Sequence, residues 1–341
     1  MGVNADTGRA YACMSVRSVL HDWLCRSHSG RRRRAFTLYH DYSVNEMYAR
    51  SVLKIREDKE PCSSSFKVLI CGAQSYIGMN IMKYLQGHAG YEVHEMDMRG
   101  LGPEPSHFKG YDIVIYVAGI AHRRETARNA HLFFDVNYRL AVKAARAAQK
   151  AFVKQFILLS SMSVYGMLEG HITKETKTAP ESCYGKSKLA ADERIWELRN
   201  RDFRVAVLRP PVVYGKGCKG NYRMLRRAAL FLPVFPDSGN RRSMVYIGSL
   251  CAFVADVIRY RREGIFFPQN AEYVKTSEMA RQIAAFHGRN MRIVPGGGWM
   301  KHLPFRTFRK AFGSLTYEKK DCIGRYGLAE SVIRTEGWMV E

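Results

Sequence analysis

The chain has 341 residues, 46% of them apolar, enough to bury a sizeable core as one large domain or two unequal lobes. No apolar run approaches the roughly 18 residues of a membrane span. The eight cysteines form no C-x-x-C pair and no zinc-spaced cluster, so a reduced, cytoplasmic chain without a structural metal is expected. The formal net charge of +23 suits nucleic acid, an acidic membrane surface or an anionic small substrate. No helix-turn-helix or zinc-finger pattern favours nucleic acid, and a solvated basic surface accounts for the charge equally well.

Residues 1–65 lack sustained periodicity, carry the run Arg31-Arg32-Arg33-Arg34 and contain no apolar core of signal-peptide length. They read as a disordered N-terminal extension, with Met47 as an alternative start. From Phe66 the pattern becomes regular. "FKVLICG" is an apolar run ending in Gly72, followed by a helix-like stretch. "YEVHEMD" (91–97) and "YDIVIYVAG" (111–119) are further strand candidates. A helical pattern spans about 129–150, "KQFILLSS" (154–161) is strand-like, and a helix near 183–199 precedes the strand candidate "FRVAVLRP" (203–210). Apolar strands alternating with helices predict a parallel sheet covered on both faces, doubly wound with right-handed crossovers. After about residue 211 the alternation weakens. The chain therefore divides into an extension (1–65), an α/β domain (66–210) and a smaller C-terminal lobe (211–341).

The turn after the first strand, "CGAQSYIG", places Gly72 and Gly78 six apart. Glycines there permit a tight turn, and free N–H groups at a helix start face a diphosphate. Ser75 stands where a middle glycine is usual, and its hydroxyl can cap the helix instead. Asp97 ends the second strand, 25 residues after Gly72. A carboxylate there accepts hydrogen bonds from an adenosine ribose and repels a 2′-phosphate, which favours NAD over NADP; Arg99 softens that preference. Only 13 residues separate Asp97 from Tyr111, so the usual third strand and its helix are cut short.

In "ESCYGKSKLAADE" (181–193), Tyr184 and Lys188 stand four apart on a helix-like run. Chance gives about one such pair in a chain with 19 tyrosines, and it is the only one here. Positions i and i+4 share a helical face, so the ammonium is expected to lie near the phenol and lower its pKa from about 10. A tyrosine so placed is a base for a hydroxyl proton.

The ordered set "GAQSYIG", "VAG" (117–119), Asn137 in "VNYRL", "SSMSVYG" (160–166), "YGKSK" (184–188), "LRPPVVYG" (208–215) and "RRSMVYIGSL" (241–250) resembles an extended short-chain dehydrogenase/reductase of the NAD-dependent epimerase/dehydratase family. "LRPPVVYGKG" and "KGNY" are similar to UDP-sugar 4-epimerases and to 4-keto-sugar reductases of surface-polysaccharide pathways. The resemblance implies a Rossmann-type sheet with a C-terminal substrate lobe. It implies catalysis by Tyr184, Lys188 and Ser161, with Ser160 and Ser163 as neighbours open to misassignment. NAD would be held by Gly72, Ser75, Tyr76, Ile77, Gly78, Asp97, Ala118, Gly119 and Lys188. A nucleotide sugar would meet Asn221 and Arg242, while Arg209 is structural. Asn137 is expected to bridge backbone, and His122, Arg123 and Arg124 either face the sugar or are surface charge. A homodimer through paired helices is usual in the family. The implied reaction is 4-epimerisation through a 4-keto sugar, with 4-keto reduction by NAD(P)H as the runner-up. A cofactor-sensing protein on the same fold is the third reading, against which the intact triad argues.

Residues 1–62 show no core-forming pattern, so a chain beginning at Ser63 is expected to keep its melting temperature and its NAD affinity. Calorimetry on the full and shortened chains checks this, and a large fall in melting temperature refutes it.

Overall fold

The computed structural model describes residues 65–337, apart from 101, 122 and 305. The extension, Met47, the Arg31–Arg34 run and His122 lie outside the described residues.

The chain alternates as the apolar pattern requires. Strand β1 (Phe66–Cys71) leads into helix α1 (Tyr76–Gln86) and strand β2 (Tyr91–Met96). One 3-10 turn (Pro105–Phe108) replaces a further strand and helix before β3 (Ile113–Tyr116). The expected single helix over 129–150 is composite. It runs as α2 (Ala130–Phe134), a π-helical turn (Asp135–Leu140) and α3 (Ala141–Lys150). Strand β4 (Gln155–Leu159), the short β5 (Gly170–Ile172), helix α4 (Cys183–Trp196) and β6 (Arg204–Leu208) follow.

Six parallel strands form the sheet in the order β10-β6-β4-β3-β1-β2. Its last strand, β10 (Gly264–Phe266), comes from the C-terminal part of the chain. Between β6 and β10 lie β7 (Val212–Tyr214), α5 (Asn221–Phe231), β8 (Val234–Asp237), β9 (Met244–Tyr246) and α6 (Ile247–Arg259). Residues after 211 thus build part of the sheet layer as well as a lobe. Beyond β10 the lobe is completed by β11 (Gln269–Asn270), α7 (Thr276–Phe286), β12 (Arg292–Pro295), a short helix (Arg306–Phe312), β13 (Leu315–Tyr317), β14 (Cys322–Ile323) and a last helix (Leu328–Glu336).

Side chains alternate across each strand, so two apolar cores form. Val68, Ile70, Ile115, Ile157 and Leu208 face α1 and α6. Leu69, Val114, Tyr116, Phe156 and Val207 face α3 and α4. The run Ala144, Ala145, Ala147, Ala148 is buried, and small side chains let α3 approach the sheet closely. With β2 at the edge, the sheet stops where the short connection predicted.

Gln155 is buried at the start of β4 and donates its amide to the carbonyls of Val257 (3.2 Å) and Arg262 (2.9 Å). It pins the end of α6 to the sheet centre. Gln155→Leu is expected to cost about 1–3 kcal/mol, because Arg262 loses a buried donor. Urea unfolding with an unchanged slope checks it.

Candidate active site

The site is assembled where β3, β4 and β6 end and α4 begins. Ser182 caps α4, accepting from the Gly185 N–H at 3.0 Å. Glu125, from the connection after β3, accepts from the Cys183 and Tyr184 N–H groups at 2.9 and 3.1 Å. A carboxylate at a helix start is favoured by the helix dipole. Tyr184 is thereby held in the first turn. The residue after it must be small, because a Cβ on Gly185 would stand 2.6 Å from the Ser163 carbonyl oxygen.

Ser161 caps the 3-10 turn Met162–Tyr165, and its hydroxyl lies close enough to Tyr184 to lower the phenol's pKa. Ser163 donates its N–H and receives the Ser161 hydroxyl, both at 3.2 Å. Ser160 is separate: it is buried and donates to Asp192 Oδ2 at 2.8 Å. Ser161 is therefore the serine that reaches the phenol. Lys188 is buried and donates to the Leu159 carbonyl at 2.8 Å. Asn137, in the π-helical turn, accepts from Ile120 N–H (2.8 Å) and donates to Ser187 Oγ (3.1 Å), tying the end of β3 to α4.

One expectation is corrected. The Tyr184 ring is half-exposed, but its hydroxyl is desolvated, and burial raises the phenol above its ordinary pKa. The Ser161 hydroxyl pulls it down, and Asp192 pushes it up. Lys188, itself brought down to about 8 by burial, does not lower it here.

Sequence reading missed Asp192, which sits four residues after Lys188 on the same face. The signal was the i, i+4, i+8 spacing of Tyr184, Lys188 and Asp192. Burial raises its carboxyl to about 6 against the pull of Arg209, Ser160 and Lys188. Arg209 Nε donates to Asp192 Oδ2 at 3.0 Å, and Arg209 Nη1 donates to the Tyr165 hydroxyl at 2.8 Å. Asp192 Oδ1 is buried without a hydrogen-bond partner. Arg209 is structural, as expected.

The cradle after β1 is bare backbone. Gly72 has φ +124°, and a Cβ there would meet the Ala118 N at 2.7 Å. Ser75 caps α1 by accepting from Gly78 N–H at 3.1 Å, as a stand-in for the middle glycine. The N–H groups of Tyr76 and Ile77 lie in the first turn, where no intrahelical acceptor exists. A Cβ on Gly119 would stand 2.9 Å from Asn137 Oδ1 and 3.3 Å from Lys188 Nζ, so the cradle runs on toward the lysine. This donor-rich, side-chain-free surface fits a dinucleotide diphosphate. Asp97 follows β2 but is engaged. Arg99 grips both its oxygens, at 2.6–3.0 Å, and lowers its pKa.

On the substrate side, Asn221 starts α5 and is exposed. Arg242 is buried, donates to the Gly313 carbonyl at 2.9 Å, and is brought down to about 10 by burial. Arg123 and Arg124 are exposed. A cavity of about 330 Å³ is lined by Gly166, Met167, Leu168, Glu169, Glu181 and Arg309. No sequence motif marked Glu125 or Glu169, since both lie in irregular segments.

Arg209→Met is expected to cost about 3–5 kcal/mol at neutral pH, because it strands the buried Asp192 carboxylate. The folded carboxyl titrates near 6 and the unfolded one near 3.8. Folding therefore takes up a proton between those values, and stability falls as pH rises through that window. The variant's deficit should be smaller at pH 5 than at pH 8. Chemical denaturation at both pH values checks this, and an equal deficit refutes it.

Comparison with known proteins is consistent with this geometry. The UDP-glucose 4-epimerase of Vibrio cholerae is 26% identical over 76% of this chain and 84% of that protein. The N-acetyl-alpha-D-glucosaminyl-diphospho-ditrans,octacis-undecaprenol 4-epimerase of Escherichia coli O157:H7 is 26% identical over 55% of this chain and 61% of that one. The solved UDP-glucuronic acid 4-epimerase from Bacillus cereus, in complex with NAD, superposes with a TM-score of 0.64. It covers 80% of this chain and 96% of its own at 15% identity, which establishes the shared fold. The model of the NAD dependent epimerase/dehydratase family matches residues 68–264, more than half of the chain. The chain belongs to the NAD dependent epimerase/dehydratase family.

Proposed function

We propose that this chain is an NAD-dependent nucleotide-sugar 4-epimerase, working in the cytoplasm as a homodimer. The observation that carries the reading is the Ser161 hydroxyl placed beside the Tyr184 phenol at the strand ends, close enough to pull its pKa down, with the Lys188 ammonium buried beside Gly119. In this reading Tyr184 takes the proton from the sugar 4-hydroxyl and later returns one to the keto oxygen on the other face. Ser161 hydrogen-bonds the same oxygen and fixes it against the phenol. NAD, when bound, supplies the acceptor and donor of the hydride at carbon 4 and a positive ring beside the phenol. Gly72, Ser75, Tyr76, Ile77, Gly78, Ala118 and Gly119 offer it the backbone cradle, and Asp97 the ribose contact. Lys188 spends one N–H on Leu159 and has two to offer a cofactor hydroxyl. Arg242 and Asn221 are assigned to the nucleotide diphosphate; an arginine fork suits phosphate oxygens.

The Asp97–Arg99 pair favours a second reading. An epimerase regenerates its cofactor within each cycle and gains from retaining it. Here the ribose carboxylate is already gripped, and the sheet ends at β2, which weakens retention. That suits a 4-keto-sugar reductase, which exchanges cofactor every turnover.

Purified protein incubated with UDP-glucose, UDP-N-acetylglucosamine and a UDP-4-keto-6-deoxy sugar, with and without NADH, separates the two. Interconversion of 4-hydroxyl epimers without added NADH is expected. Stoichiometric NADH loss with the keto sugar alone establishes the reductase instead. Tyr184→Phe should fold, bind NAD and lose about a hundred- to ten-thousand-fold in turnover. Wild-type turnover in that variant ends the proposed chemistry.

A further inference from the structure

The C-terminal lobe carries a surface that the proposed reaction does not use. Helix α5 turns Arg223, Met224, Arg227 and Phe231 to solvent, a spacing that puts them on one face. The chain leaves the helix through Leu232, Pro233 and Val234, all exposed, and enters β8. β8 pairs in parallel with β12, setting Val234 beside Arg292 and Pro236 beside Val294. The inner face of that pair buries Phe235 and packs Ile293 on the core, while Val234, Arg292 and Val294 face outward. The 3-10 turn after β12 presents Trp299. Phe231 is 73% exposed and Trp299 63%, well beyond what a lone surface aromatic needs.

The charge around these side chains is mostly positive: Asp237, at the end of β8, accepts from Ser277 Oγ at 2.9 Å, and Glu336 pairs with Arg226. Residues 211–236 and 279–317 contain no Asp or Glu at all. Arg223, Arg227 and Arg292 have no acidic partner among the described residues. Large apolar and aromatic side chains interleaved with unpaired arginines form the pattern that seats on an anionic interface, with apolar groups entering the acyl boundary and cations meeting headgroups. A second copy fits poorly, since a two-fold contact through this face would set arginine against arginine. No helix of the described residues is long and apolar enough to cross a membrane, so any seating here is peripheral.

We propose that this face of α5, β8, β12 and the Trp299 turn docks the protein on an anionic lipid bilayer. Lys301, two residues past Trp299, pairs with Glu169 at 3.7 Å, and Glu169 lines the 330 Å³ cavity. The docking face therefore adjoins the cavity wall.

The test is co-sedimentation of the full chain with vesicles of phosphatidylcholine alone or with about one-third phosphatidylglycerol, a fraction chosen to set a strongly negative surface potential. Binding is expected only to the anionic vesicles, is expected to fall in high salt, and should shift the chain's tryptophan fluorescence to the blue, a shift that Trp299→Ala reduces. Arg223→Glu/Arg227→Glu should weaken it by at least about tenfold, and Trp299→Ala should weaken it at unchanged charge. Each variant's melting temperature verifies that it folds. Lys109→Glu/Arg201→Glu, at the N-terminal ends of β3 and β6, carries the same charge change elsewhere and should bind nearly as wild type. No binding to anionic vesicles overturns the proposal, as does equal weakening by the two charge-reversed pairs. Binding to polyglutamate but not to vesicles would assign the face to an acidic protein. Loss of self-association without vesicle binding would assign it to a second copy. Either result also overturns the proposal.

Discussion

One buried carboxylate organises the centre of the molecule. Asp192 lies inside the protein and is met by Ser160 at the end of β4 and Arg209 after β6. Arg209 carries the network outward: its guanidinium donates to Tyr165, and its carbonyl accepts from the Tyr317 hydroxyl on β13 at 2.8 Å. Two sheet strands, the triad helix, the serine turn and a strand of the C-terminal part are thus referred to one charge. Such a centre gives geometry more than net stability, because desolvating two ions offsets most of their attraction. Its value is that Ser161, Tyr184 and Lys188 hang from the elements it aligns.

The same arrangement sets the electrostatics of the triad. Lys188 and Asp192 share a helix face and a dry environment, so each restrains the other's loss of charge. Desolvation is the larger effect on Tyr184, and its phenol stays protonated at neutral pH unless further positive charge arrives. The loop after β3 joins this arrangement through Glu125, whose carboxylate links the segment beside the cradle to the first turn of α4.

The two ends of the cofactor path are built differently. At the diphosphate end, close approach of β1, α1 and β3 excludes side chains and leaves donors bare. At the adenosine end the sheet stops at β2, and Asp97 is held by an exposed arginine two residues away. Exposed ion pairs contribute little and exchange readily with water. Arg99 therefore holds Asp97 without locking it.

How much of this was legible in the sequence follows from the range of each interaction. Strand runs such as "FKVLIC" and "QFILL", the cap Ser75, the glycine cradle and the Tyr184–Lys188 spacing are local, and periodicity and turn chemistry alone established them. So was the early end of the sheet, which is a matter of chain length. Contacts between distant segments were not legible. Nothing near residue 264 announces that β10 closes the sheet, and nothing near Glu125 announces a cap on a helix about sixty residues on. The partners of Asp192 and the sign of the Tyr184 shift depend on which atoms are desolvated. Desolvation is a property of packed neighbours from several elements, so only the tertiary structure decided it.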